Sequence, residues 1–174
     1  NLAKTRQYLP EIEFDANPTV PDQAQKGQIY GSPHDFTAPA GVNADDEYLV
    51  GATNVEKAFN FFLTPEGGGF TPAQTCGIIG NFWVESFANR IGDLDTKATS
   101  APPERSFGIA QWNSSSNAGF RYQNLVAFAA RKNLAWDTLY PQLLFTVYEL
   151  YESKTYYRLN DLKSKNTRRS MHYI

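Results

Sequence analysis

The chain has 174 residues, a length that sets one domain as the expectation and leaves room for a real core. Its residues are 41% hydrophobic, 20% charged and 14% aromatic, a composition that excludes a disordered or fibrous chain. One cysteine, Cys76, excludes an internal disulfide framework, and with only His34 and His172 beside it a zinc site has almost no ligands to draw on.

The net charge of −2 hides an asymmetry along the chain. Residues 1–50 carry three basic and eight acidic side chains, together with five of the ten prolines. Prolines at 10, 18, 21, 33 and 39 block any long helix, so this segment reads as an extended arm, either wrapped on the domain or a partner or left free. The chain begins at Asn1 without a methionine or a signal segment and is expected to be a piece of a longer protein. No apolar run approaches the roughly 18 residues of a membrane span, so no membrane insertion is expected.

Regular structure is predicted from Thr53. Thr53-Asn54-Val55-Glu56 has the form of a capping box, and Val55, Ala58, Phe59, Phe62 and Leu63 then fall on one helical stripe. Pro65 and Gly67-Gly68-Gly69 end that helix. A second helix opens with Thr71 as cap, Pro72 at its first position and Gln74 completing another box. From Ala73 to Val84 it is apolar nearly all round, with Gly77 and Gly80 within it. This pattern predicts a helix in the middle of the core, its glycines admitting a close neighbour.

Residues 87–119 are rich in turn formers, around the short apolar segment Phe107-Gly108-Ile109-Ala110-Gln111-Trp112, a strand or a buried turn. Further helices are predicted through Tyr122, Leu125, Val126 and Ala129, then from Thr138 to about Glu152, with a weaker one near residues 155–165. Glu149, among apolar residues, reads as a buried partner for Arg121 or Arg131 in preference to a wall of a site. The tail from residue 151 holds six basic and two acidic side chains. No aromatic platform or recognised motif accompanies them, so a solvated helix or a connection to further chain is expected and no nucleic acid.

Glu85 stands out because it ends a helix whose preceding dozen residues are almost all apolar or small. Burial, the helix C-terminal dipole and the lack of a nearby base would all favour its protonated form, which is what donation to a leaving oxygen requires. An ordinary exposed glutamate at a helix end is the other reading of the same pattern.

The segment Cys76 to Ser86, with its Glu85-Ser86 pair, resembles the catalytic helix of the phage tail lysozyme family, virion-borne muramidases related to goose-type lysozymes and lytic transglycosylases. Phe107 to Trp112 is similar to that family's Gly-x-x-Gln-Trp segment. Arg121 with Leu125, then Gln142-Leu143 and Glu149-Leu150, continue the pattern in order, over roughly residues 52–152.

The resemblance implies a mainly α, lysozyme-like domain at 51–152 with a small irregular or β insert. The extended arm (1–50) would precede it and a basic tail or connection (153–174) would follow. It implies cleavage of the β-1,4 bond between N-acetylmuramic acid and N-acetylglucosamine in peptidoglycan, with Glu85 as the acid. A second carboxylate would come from the intervening loop, Asp93 or Asp95 ahead of Glu104. Ser86, Gly108, Gln111 and Trp112 would line the sugar groove, with core packing the alternative for Trp112. Some relatives of this fold let the substrate's own 6-hydroxyl attack and yield a 1,6-anhydro sugar, so hydrolysis and transglycosylation both remain open, beside a wall-binding module without turnover. No cofactor is required. The expected partners are glycan strands and other virion proteins, and the expected location is a phage tail or entry apparatus.

Overall fold

The computed structural model describes residues 37–86 and 91–151; most of the arm, the basic tail and the helix expected near 155–165 lie outside them. Among the described residues the order is α1 (Ala44–Tyr48), α2 (Asn54–Leu63), α3 (Pro72–Glu85), β1 (Ser106–Phe107), β2 (Trp112–Asn113), α4 (Arg121–Arg131) and α5 (Leu139–Tyr151). A single 3-10 turn, Ser116–Ala118, precedes α4. The domain is thus mainly α with a two-stranded antiparallel insert, in the manner of a lysozyme-like fold.

Both capping boxes form. The Thr53 side chain accepts from the Glu56 N–H while the Glu56 carboxylate accepts from the Thr53 N–H, and Thr71 and Gln74 do the same at the start of α3. Thr64 ends α2 one residue before Pro65, as the proline requires. None of the helices is long and apolar enough to cross a membrane, among the described residues.

The core sits on α5, which packs against α1, α2 and α4. Every residue from Leu139 to Thr146 is buried. The sequence had placed α3 in that central position, and the structure corrects this. Only Gln74, Thr75, Ile78, Ile79 and Phe82 of α3 are buried, while Asn81 and Val84 face outward. Its apolar appearance comes partly from small residues, which bury little area whichever way they point. Among the described residues a Cβ at Gly80 would meet nothing within 4 Å, so none of them comes close there.

The last part of the arm folds onto this core. Asn43 caps the five-residue α1, and the Asp45 carboxylate in turn caps α5, accepting from the N–H groups of Leu139 at 2.8 Å and Tyr140 at 2.6 Å. Tyr48 packs on Tyr140 with ring centroids 5.1 Å apart, and Leu49 is buried. The Ala38 N–H donates to the Lys132 carbonyl at 2.9 Å, so contact begins before α1. The boundary expected at residue 50 therefore falls inside packed structure. The prolines exclude a long helix from this segment but not the short α1, which starts after Asn43 and ends at the extended Leu49.

Candidate functional site

Glu85 is the last residue of α3, and its side chain is exposed. The burial expected from the apolar run before it is absent. The buried stripe passes through Thr75, Ile78, Ile79, Phe82 and Ser86, and Glu85 lies on its flank at the end of the helix. Its carboxyl group is therefore open to solvent.

Ser86 is fully buried as the C-cap of α3, its N–H donating to the Phe82 carbonyl at 2.8 Å. It cannot touch a sugar, which corrects its expected place in the groove. Its Oγ instead accepts from the Asp95 N–H at 3.4 Å, joining the end of the Glu85 helix to the loop that carries the candidate second carboxylates.

That loop separates Asp93 from Asp95. Asp93 is fully engaged: Oδ2 accepts from the Asn54 N–H at 2.7 Å, and Oδ1 accepts from the N–H groups of Val55 at 2.9 Å and Leu94 at 2.8 Å. It satisfies orphan donors at the start of α2, where the helix dipole also favours a negative charge. The Asn54 side chain donates to the Leu94 carbonyl at 2.8 Å, and Leu94 is buried in the core. Among the described residues Asp95 uses only Oδ1, which accepts from the Lys97 N–H at 2.8 Å, and the residue is half-buried. Glu104 stands on the exposed stretch 101–105.

Phe107 to Trp112 is both strand and turn. Ser106 pairs with Asn113 and Phe107 with Trp112, and the turn between them is closed by the Gln111 N–H donating to the Gly108 carbonyl at 3.1 Å. The Gln111 amide donates to the carbonyls of Gly108 at 3.0 Å and Ala98 at 3.4 Å, so its NH2 group braces the turn. Its Oε1 accepts no hydrogen bond among the described residues. Gly108 has φ +73°, and a Cβ there would stand 2.7 Å from Gln142 Oε1. It is buried and shapes the turn without lining a groove.

Trp112 is core and offers no face to a sugar. It is fully buried, sits edge-on to Phe145, and its Nε1–H donates to Glu149 Oε2 at 2.9 Å. Glu149 has the structural role read for it, with Arg121 as the cation: Arg121 Nε and Nη2 donate to its two oxygens at 2.8 and 2.6 Å. Trp83 and Trp136 pack against the core, while Cys76 is half-buried.

Gln142, in sequence only one position of the family pattern, has a structural part of its own. It is fully buried in α5; its Oε1 accepts from the Ile109 N–H at 2.9 Å and its Nε2 donates to the carbonyls of Thr96 at 2.8 Å and Trp136 at 2.9 Å. A lone amide in the apolar run Leu139–Phe145 was the available signal, since buried polar groups are the informative ones.

A second titratable cluster lies where α1, α5 and the turn after α2 meet. The Tyr140 hydroxyl donates to Glu66 Oε1 at 2.7 Å. Burial pushes the Glu66 carboxyl up from its ordinary 4.5, against the opposing pull of the Tyr140 hydrogen bond and the Lys132 charge. Burial and the Glu66 charge together raise the Tyr140 hydroxyl strongly. Among the described residues no group of three or more His, Cys, Asp or Glu is placed to hold a metal ion.

No curated protein and no solved structure matches the chain. A family model described as phage tail lysozyme matches residues 53–173, a span that begins at the cap of α2 and runs past the boundary expected at 152.

Proposed function

The chain belongs to the phage tail lysozyme family, and from that premise we propose that it is a muramidase carried in the virion to open the host wall locally during entry. Its lysozyme-like fold and its action on peptidoglycan follow from the family; the bond cleaved, the residues and the tail location are this proposal. The observation that carries it is the placement of Glu85 and Asp95. Glu85 stands exposed at the end of α3, and the backbone of Asp95 is tied to the very next residue, Ser86.

Glu85 protonates the glycosidic oxygen between N-acetylmuramic acid and N-acetylglucosamine as the C1–O bond breaks. An exposed carboxyl at a helix end suits a polymeric substrate, because a glycan strand can lie across it without the protein having to open. Asp95, with Oδ2 lacking a hydrogen-bond partner among the described residues, takes a proton from the attacking water. Asp93 is left out of the chemistry because both its oxygens are held by backbone donors. Gln111 Oε1 accepts from a sugar hydroxyl or acetamido N–H.

Mass spectrometry of the muropeptides released from purified peptidoglycan tests this directly. Reducing ends are expected, since water is the nucleophile. Ends of the 1,6-anhydro form would make the enzyme a lytic transglycosylase and remove Asp95 from its role. Pull-down of peptidoglycan with nothing released would make the chain a wall-binding tail module.

A further inference from the structure

We propose that Gln142 is a positioning residue for this reaction, its buried amide setting the Asp95 loop and the Gly108–Gln111 turn in register with each other. The inference rests on the muramidase reading above. Gln142 is fully buried in α5, the helix at the centre of the core, and reaches three separate stretches of backbone. Nε2 donates to the carbonyl of Thr96, the residue after Asp95, at 2.8 Å. Oε1 accepts at 2.9 Å from Ile109, inside the turn that carries Gln111. The second Nε2 hydrogen goes to Trp136, in the connection between α4 and α5, at 2.9 Å. Both donors of the amide are thus used together with one acceptor site.

The surroundings are shaped for this amide. Residue 108 has no side chain, and a Cβ there would lie 2.7 Å from Oε1 and 3.0 Å from Cδ. From the other side the Asp95 N–H donates to Ser86 Oγ, beside Glu85. The Asp95 loop is therefore gripped between the end of the Glu85 helix and the Gln142 amide, while Asp93 anchors its start on α2. An apolar side chain of similar length fills the same space but carries no directional bond to either segment. Packing then survives while register between acid, base and turn loosens, and a misplacement of about 1 Å can cost about a hundredfold in rate.

The test compares wild type, Gln142→Met, Gln142→Glu and Glu85→Gln in the whole chain. Near-UV circular dichroism reports folding, pull-down reports peptidoglycan binding, and muropeptide release reports turnover. Gln142→Met is expected to keep binding within about twofold, to lose about tenfold or more in turnover, and to release a larger share of 1,6-anhydro ends as the water at Asp95 loses its place. A folded Gln142→Met with wild-type turnover and wild-type product ends overturns the role.

Should Gln142→Met not fold, Gln142→Glu decides. As a neutral acid it accepts from Ile109 and donates to one carbonyl, whereas as a carboxylate it faces two carbonyl oxygens. Its turnover relative to wild type is expected to fall about tenfold between about pH 5 and about pH 9. A ratio independent of pH overturns the role. Wild type without turnover overturns the muramidase reading and this role with it. Turnover that is lost in Glu85→Gln but kept in folded Gln142 variants overturns the role of Gln142 alone.

Discussion

Replacing Arg121 by methionine should cost more stability than replacing Arg121 and Glu149 together. Glu149 is buried on α5 and accepts three hydrogen bonds, at 2.6 and 2.8 Å from Arg121 and 2.9 Å from the Trp112 indole. Losing the guanidinium leaves a carboxylate with one neutral donor in the core, and breaking a buried pair from one side costs about 3–5 kcal/mol. The side chain of Arg121 is 23% exposed and that of Glu149 10%, so water relieves part of the loss and the lower end, about 3 kcal/mol, is expected. At about 4 °C per kcal/mol for a domain near this size, the melting temperature should fall by roughly 12 °C.

In Arg121→Met/Glu149→Leu the buried charge is gone and the Trp112 N–H loses its acceptor. That should cost about 1–2 kcal/mol. Urea unfolding followed by tryptophan fluorescence measures both variants. A single variant costing under about 1 kcal/mol, or a double variant no better than the single, would refute the assignment of Glu149 as a buried, charge-paired anchor.

The two loop carboxylates should separate cleanly. Asp93→Asn should lower stability by about 1–2 kcal/mol through the lost α2 cap and retain most activity, whereas Asp95→Asn should do the reverse; urea midpoints beside peptidoglycan clearing decide, and a matching loss of activity in both would contradict the division. At Glu66 the folded carboxyl is raised above 4.5, so the folded state binds more protons and stability declines as pH rises from that value through the raised one. Tyr140 from α5, Lys132 at the end of α4 and Tyr48 from α1 are the titratable groups that act on it. Glu66→Gln should therefore gain melting temperature relative to wild type as pH rises above about 4.5, and a constant difference across pH would count against the half-buried carboxylate. Gly80→Ala should stabilise by about 0.5–1 kcal/mol in the same unfolding assay, because a Cβ there meets nothing within 4 Å among the described residues; a loss would mean that something packs on that face.

The local signals in the sequence read well and the long-range ones did not. The capping boxes at Thr53 and Thr71 and the stop before Pro65 depend on residues within four positions, and they form as spelled. The stripes of α2 and α4 were legible in part: Val55, Ala58, Phe62, Leu125 and Ala129 are buried, whereas Phe59, Leu63, Tyr122 and Val126 are half-buried and the burial of Phe61 and Phe128 was missed. Which helix becomes central depends on who packs against it, and periodicity carries no partner. The Ala73–Val84 run therefore looked more buried than Leu139–Thr146, although the latter is the core. Asp93 shows the same limit at the candidate site. In sequence it is one loop carboxylate beside another, and only its contact with a helix start 38 residues earlier separates it from Asp95. Trp112 and Ser86 matched motif positions that can face a ligand, but burial turned both inward. Asp45, read as part of an arm, caps a helix 94 residues later.

The most direct measurement is release of soluble muropeptides from purified peptidoglycan by wild type and by Glu85→Gln, each shown to be folded by its melting curve. Glu85 is exposed and ends its helix, so the amide should leave stability within about 0.5 kcal/mol. Wild type is expected to release muropeptides while the folded variant releases about a hundredfold less or none, the general acid being absent. Undiminished release by Glu85→Gln would contradict the assignment of Glu85 as the acid of this enzyme.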